Sequence, residues 1–127
     1  MKILGIDYGR KKIGLALGDT VTKLAEPLKT IKNFKFEILN LKSILNDQII
    51  QKIVIGLPNG KMDEEIKVFG ENLKKGTGLP VEYFDETLTT QDAQRILITG
   101  GGKRKKRKEK EDAVAAALML ENYFNSL

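Results

Sequence analysis

Three acids stand at the boundaries of apolar runs. Asp7 follows Ile3-Leu4-Gly5-Ile6, Glu86 comes just after Asp85 at the end of the run 79–84, and Asp112 lies between a basic run and the apolar segment 113–120. The chain has no His and no Cys, which removes the commonest general base, thiolate nucleophiles and the usual zinc ligands. Any catalysis must then run on carboxylates, Lys, Thr, Tyr and bound ions. Carboxylates that converge repel one another, and a hard divalent cation, Mg²⁺ or Mn²⁺, relieves that repulsion. Two such ions about 3.5–4 Å apart can activate water and stabilise the leaving oxygen of a phosphodiester. Asp7, Glu86 and Asp112 are therefore candidate catalytic residues and candidate metal ligands. Each has a bland reading as well: a solvated strand end, a lysine partner for Glu86, or a helix N-terminal charge at Asp112.

Cations crowd two of these acids. Arg10, Lys11 and Lys12 follow Asp7 after one glycine turn, and Lys103, Arg104, Lys105, Lys106, Arg107 and Lys108 precede Asp112. Clustered Lys and Arg are the electrostatic footprint of nucleic-acid binding, so these nine residues are candidate phosphate contacts. The bland alternative for the second run is a solvated loop. Other chemistries fail on spacing. Gly100-Gly101-Gly102-Lys103 lacks the remaining P-loop positions, and the serines have no His partner.

The elements that must position these residues follow from periodicity. Residues 2–7 and 13–18 read as a β-hairpin, and residues 26–31 as a third strand. Phe34, Ile38, Leu41 and Leu45 are spaced 4, 3, 4, one face of an amphipathic helix. Residues 52–56 are a β-branched buried strand, closed by the Asn59-Gly60 turn. Met62, Ile66, Phe69 and Leu73 mark a second helix, stopped by Gly76-Thr77-Gly78. Residues 79–84 form a fifth strand. Thr89 to Asp92 offers a capping box for a helix through Ile98. A glycine-rich basic loop then leads to a last helix over residues 109–124, with Asp112 in its first turns and a segment, 113–120, that is apolar all round. This order describes an α/β fold: a mixed five-stranded sheet, three strands antiparallel and then parallel strands, with helices on both faces. If the first and fifth strands end at one edge, Asp7 and Glu86 meet there.

The stretches GIDYGRKKIGLALGD (5–19), IGLP (55–58), DETLTT (85–90) and EDAVAAALMLENYF (111–124) occur in an order and spacing that resemble the YqgF/RuvX family. The likeness spans essentially the whole chain, and the first stretch is the most specific. It implies an RNase H-like fold and a metal-dependent nuclease, acting in 5′-end processing of pre-16S ribosomal RNA or, alternatively, on four-way DNA junctions. It places the acidic site on Asp7, Glu86 and Asp112. The family's Asp-Glu-Arg is Asp85-Glu86-Thr87 here, which weakens any requirement for an arginine at that point.

At 127 residues the chain is expected to be one domain, residues 1–127. With 41% hydrophobic and 31% charged residues it reads as globular, and neither an apolar run of about 18 residues nor a signal-peptide layout is present. A cytoplasmic location is the expectation, with structured RNA or a DNA junction as partner and no membrane. Monomer and weak dimer stay open; junction resolution, needing two active sites, would favour the dimer. Two rival classes remain: an RNase H-like module that binds nucleic acid without cutting it, and an ATP-binding module, for which GIDYG is suggestive but one domain is too few.

Overall fold

The computed structural model describes residues 1–86 and 104–127, without the side chains of Leu39 and residues 104–110. The strands are β1 (Lys2–Asp7), β2 (Lys12–Asp19), β3 (Leu24–Lys32), β4 (Ile50–Leu57) and β5 (Val81–Asp85); the helices are α1 (Ile38–Asp47), α2 (Asp63–Thr77) and α3 (Arg104–Ser126). The five strands form one sheet in the order β3-β2-β1-β4-β5. β1, β2 and β3 pair antiparallel, whereas β4 runs parallel to β1 and β5 parallel to β4. The expected mixed sheet is therefore present, and β1, β4 and β5 end at the same edge.

Alternation along each strand sends neighbouring side chains to opposite faces. Leu4, Ile6, Ile13, Leu15, Ile53 and Ile55 face one way and pack with Leu41 and Leu45 of α1 and with Ile66 and Leu73 of α2. Ile3, Ala16, Val54 and Phe84 face the other way, against Ala116, Leu120, Tyr123 and Phe124 of α3. Both faces are covered, which is why the inner strands are apolar on both sides. Burying a side chain such as Leu120 or Ile55 stabilises by about 1.5–3 kcal/mol. At the far end of α3, the Tyr123 hydroxyl donates to Glu82 of β5 and accepts from Lys52 of β4, whose ammonium also pairs with Glu82. Among the described residues, no helix is long and apolar enough to cross a membrane.

Three expectations change. Phe34 is not on the buried face of α1. It sits in a 3-10 turn (Asn33–Lys35), 80% exposed, because β3 extends to Lys32 and the following turn is spent reaching the helix. Phe36 takes the inward place and meets Phe69 of α2, ring centres 5.2 Å apart. The basic run is not a loop: the backbone is helical from Arg104, since Lys and Arg are good helix formers and nothing in the run breaks a helix. Asp112 accordingly lies more than two turns inside α3, and the first turn of the helix contains no acid. The fifth strand covers Val81–Asp85, two residues being used to leave α2 through Gly78, which takes the left-handed conformation (φ 74°). The helix expected from Thr89 to Ile98, the three glycines and Lys103 lie outside the described residues.

Candidate active site

Asp7 is the last residue of β1 and pairs across the ladder with Gly14 of β2, which in turn pairs with Thr30 of β3. This row lies on the α3 face. The bare backbone of Gly14 is what lets the helix come down: a Cβ there would run into the Asp112 carbonyl. The Ala113 amide then donates to the Thr30 hydroxyl at 3.2 Å. Asp112 is thus fixed above the row that begins with Asp7.

Glu86 arrives from the opposite side. β4 separates β5 from β1, so its carboxylate has to cross one strand. Continuing the Ile6–Ile55 register by one residue brings Gly56 beside Asp7, and Glu86 lies over that glycine; a Cβ on Gly56 would collide with the carboxylate. Both glycines are therefore part of the site, because each clears the path for an acid.

The electrostatics agree with this convergence. The Asp7 carboxyl is raised from 3.8 to about 7, first by burial, then by the negative charge of Glu86, then by that of Asp112. All three causes push the same way. Burial also raises Glu86, and Asp63 at the start of α2 adds to it. Asp63 is an acid near the site that motif reading passes over. The signal for it is the Asn59-Gly60 turn just before a helix start, where the Gly60 amide donates to Asp63 Oδ1 at 3.2 Å. As they stand, the acids face one another without closing on a point: among the described residues, no three of them are drawn together tightly enough to hold a metal ion.

The basic candidates separate. Arg10 turns away from Asp7, its Nε 3.2 Å from Glu65 Oε1 of α2, while the Tyr8 hydroxyl donates to Glu65 Oε2 at 2.7 Å. Glu65 thereby fastens the turn after β1 to the helix layer. Burial and this hydrogen bond raise the Tyr8 phenol above its ordinary value. Lys11 and Lys12 are exposed. The side chains of Arg104, Lys105, Lys106, Arg107 and Lys108 are not described, although the backbone carries them on the first turns of α3.

A family model described as "RuvX: Holliday junction resolvase" matches residues 1–126. The chain belongs to the RuvX family. A relative from Lactobacillus johnsonii, named "Putative pre-16S rRNA nuclease", is 38% identical over 99% of this RuvX chain and 96% of its own. A relative of the same name from Thermoanaerobacter pseudethanolicus is 38% identical over 99% and 97%. Among solved structures, Thermus thermophilus RuvC in complex with a Holliday junction substrate superposes with TM-score 0.58 at 17% identity, over 99% of this chain and 96% of that one. Fowlpox virus resolvase with Holliday junction DNA gives TM-score 0.60 at 14% identity, over 99% and 98%. The fold of this RuvX chain is thus the RNase H-like fold of the RuvC-type resolvases.

Proposed function

We propose that this RuvX-family chain is a metal-dependent nuclease that uses Asp7, Glu86 and Asp112 to hydrolyse phosphodiester bonds. Its proposed substrate is the 5′ end of pre-16S ribosomal RNA in the cytoplasm. The observation that carries the reading is the convergence of three acids from β1, β5 and α3 on one edge of the sheet, with the Asp7 carboxyl pushed up to about 7. The names of the relatives support the RNA substrate. A four-way DNA junction is the second reading, favoured by the description of the family.

The donor set fits a hard divalent cation, Mg²⁺ or Mn²⁺: oxygen ligands only, and a mutual repulsion that a cation would relieve. When bound, one or two such ions supply an activated water and a counter-charge for the leaving oxygen. Asp7, Glu86 and Asp112 would hold them, drawn inward from the open arrangement. Asp7 stands at a strand end, Glu86 just after a strand and Asp112 inside a helix, so rigid elements carry or adjoin each of them. Lys12, on the face that carries Asp7, would meet a phosphate of the bound strand. Arg10, paired with Glu65, is better placed to hold the turn in shape.

The test presents a pre-16S RNA fragment and a four-way DNA junction side by side, with Mg²⁺, Mn²⁺ or chelator. Cleavage of the RNA only with metal is expected, and Asp7→Asn should lower it by at least about a hundredfold, since even outer partners of metal ligands typically cost 10- to 100-fold. Junction cleavage instead would move the substrate to DNA. Equal cutting by wild type and Asp7→Asn would remove the assigned site.

A further inference from the structure

Lys12 and Lys32 stand directly opposite each other in the β2–β3 ladder. Like charges in that position destabilise an antiparallel pair. Both are exposed, and among the described residues neither takes part in an ion pair. Their face is known. Residues two apart share a face, and the next row is Gly14–Thr30, whose Thr30 hydroxyl accepts from the Ala113 amide of α3. The two lysines therefore project from the side of the sheet that carries Asp7, one row farther out, with their backbones about 7 Å along the strands.

From Lys32 the chain enters the 3-10 turn, which is held at both ends. Asn33 Nδ2 donates to the Gly9 carbonyl at 2.6 Å and the Asn33 amide to the Lys11 carbonyl at 2.9 Å, fastening the turn to the loop that follows Asp7. Phe36 is fastened inward against Phe69. Between these anchors Phe34 stands 80% exposed, with Lys35 Nζ 5.8 Å from its ring centre. A lone exposed apolar residue is ordinary. A ring on a turn anchored at both ends, two residues along the chain from the unpaired Lys32 and joined to the loop after Asp7, is different. Cationic side chains beside an exposed aromatic are how proteins hold single-stranded nucleic acid: the charges follow the backbone and the ring stacks on a base.

We infer that Lys12, Lys32, Phe34 and Lys35 form a binding surface for an unpaired stretch of nucleic acid next to the cleaved bond, with the Lys12–Lys32 pair on a phosphate and Phe34 stacked on an unpaired base. The surface rests on the nuclease reading for its position relative to cleavage. A fully paired duplex keeps its base faces stacked and gives Phe34 nothing to cover.

The chain contains no Trp, so Phe34→Trp introduces a single fluorescent reporter at this turn. In an Asp7→Asn background without metal, which prevents cutting, the protein is titrated with single-stranded RNA, single-stranded DNA and a blunt duplex of the same sequence. Quenching by the single strands and not by the duplex is expected. Val21→Trp, at the 82% exposed position in the β2–β3 turn, should stay unquenched. Phe34→Ala should weaken single-strand binding roughly 5- to 150-fold, and Phe34→Tyr should restore it. Lys32→Glu should weaken binding and flatten its salt dependence. No quenching at Phe34→Trp, or unchanged binding in Phe34→Ala, overturns the surface. The two readings fail separately. Quenching with no cleavage by the wild type removes the nuclease and leaves the surface; metal-dependent cleavage that Phe34→Ala leaves intact removes the surface and leaves the nuclease.

Discussion

Asp7 is a carboxyl whose ordinary value of 3.8 is raised to about 7 by burial and two neighbouring acids. Between those values the folded protein holds a proton that the unfolded chain releases. The stability this contributes is complete below about pH 3.8 and is lost as pH rises through about 7. Relative to Asp7→Asn, the metal-free wild type should therefore lose stability across that window, by an amount of the order of 1–4 kcal/mol. Melting curves of both proteins in chelator from pH 4 to pH 8 check this; parallel profiles would show that Asp7 feels neither burial nor its neighbours. Added Mg²⁺ at pH 8 should raise the melting temperature of the wild type and barely move Asp7→Asn, because an ion bound only by the folded state stabilises it by mass action.

At the scale of elements, the site depends on two bare backbone positions that make opposite demands. At Gly14 the obstacle to a side chain is the α3 backbone, which cannot step aside without moving the helix. Gly14→Ala should cost about 1–3 kcal/mol or more and displace Asp112, so stability and cleavage fall together. At Gly56 the obstacle is the end of a flexible side chain, Glu86. Gly56→Ala should change unfolding in denaturant by less than about 1 kcal/mol while removing most of the cleavage. Thermal or urea unfolding beside a cleavage assay separates the two. An equal loss of activity and stability in Gly56→Ala would mean that Glu86 has no room to be displaced and belongs to the packing.

For the whole molecule the telling quantity is where the net charge of +5 lies. α3 spans the site: its apolar half packs on the sheet, and its first turns carry the basic run out beyond Asp112. Binding there would be electrostatic and independent of sequence. Reversing Lys105, Lys106 and Arg107 to Glu should weaken nucleic-acid binding and lower the slope of log affinity against log salt by about 0.7–0.9 for each phosphate left without its cation. The Mg²⁺ dependence of melting should stay as it was. Affinities measured at several salt concentrations test this, and an unaltered slope would make the run a solvated helix surface.

What the sequence determined by itself was whatever depends on local order. Short apolar, β-branched runs marked the strands, the 4, 3, 4 spacing of Met62, Ile66, Phe69 and Leu73 marked α2, and the stop from apolar run to acid singled out Asp7 and Glu86. Tertiary structure alone decided what each residue lies against. The same spacing rule placed Phe34 inside, and only the hold of Asn33 on Gly9 and of Phe36 on Phe69 turned it outward. Arg10, a candidate phosphate contact, pairs with Glu65, 55 residues away, and no local pattern announces that partner. Gly14 and Gly56 carry no chemical signal, and they matter because an acid on a distant element needs the space above them. Periodicity reports that a side chain is buried. Which neighbour buries it is set by pairings between remote segments, here β1 with β4 and α3 across both, and no local window of sequence contains them.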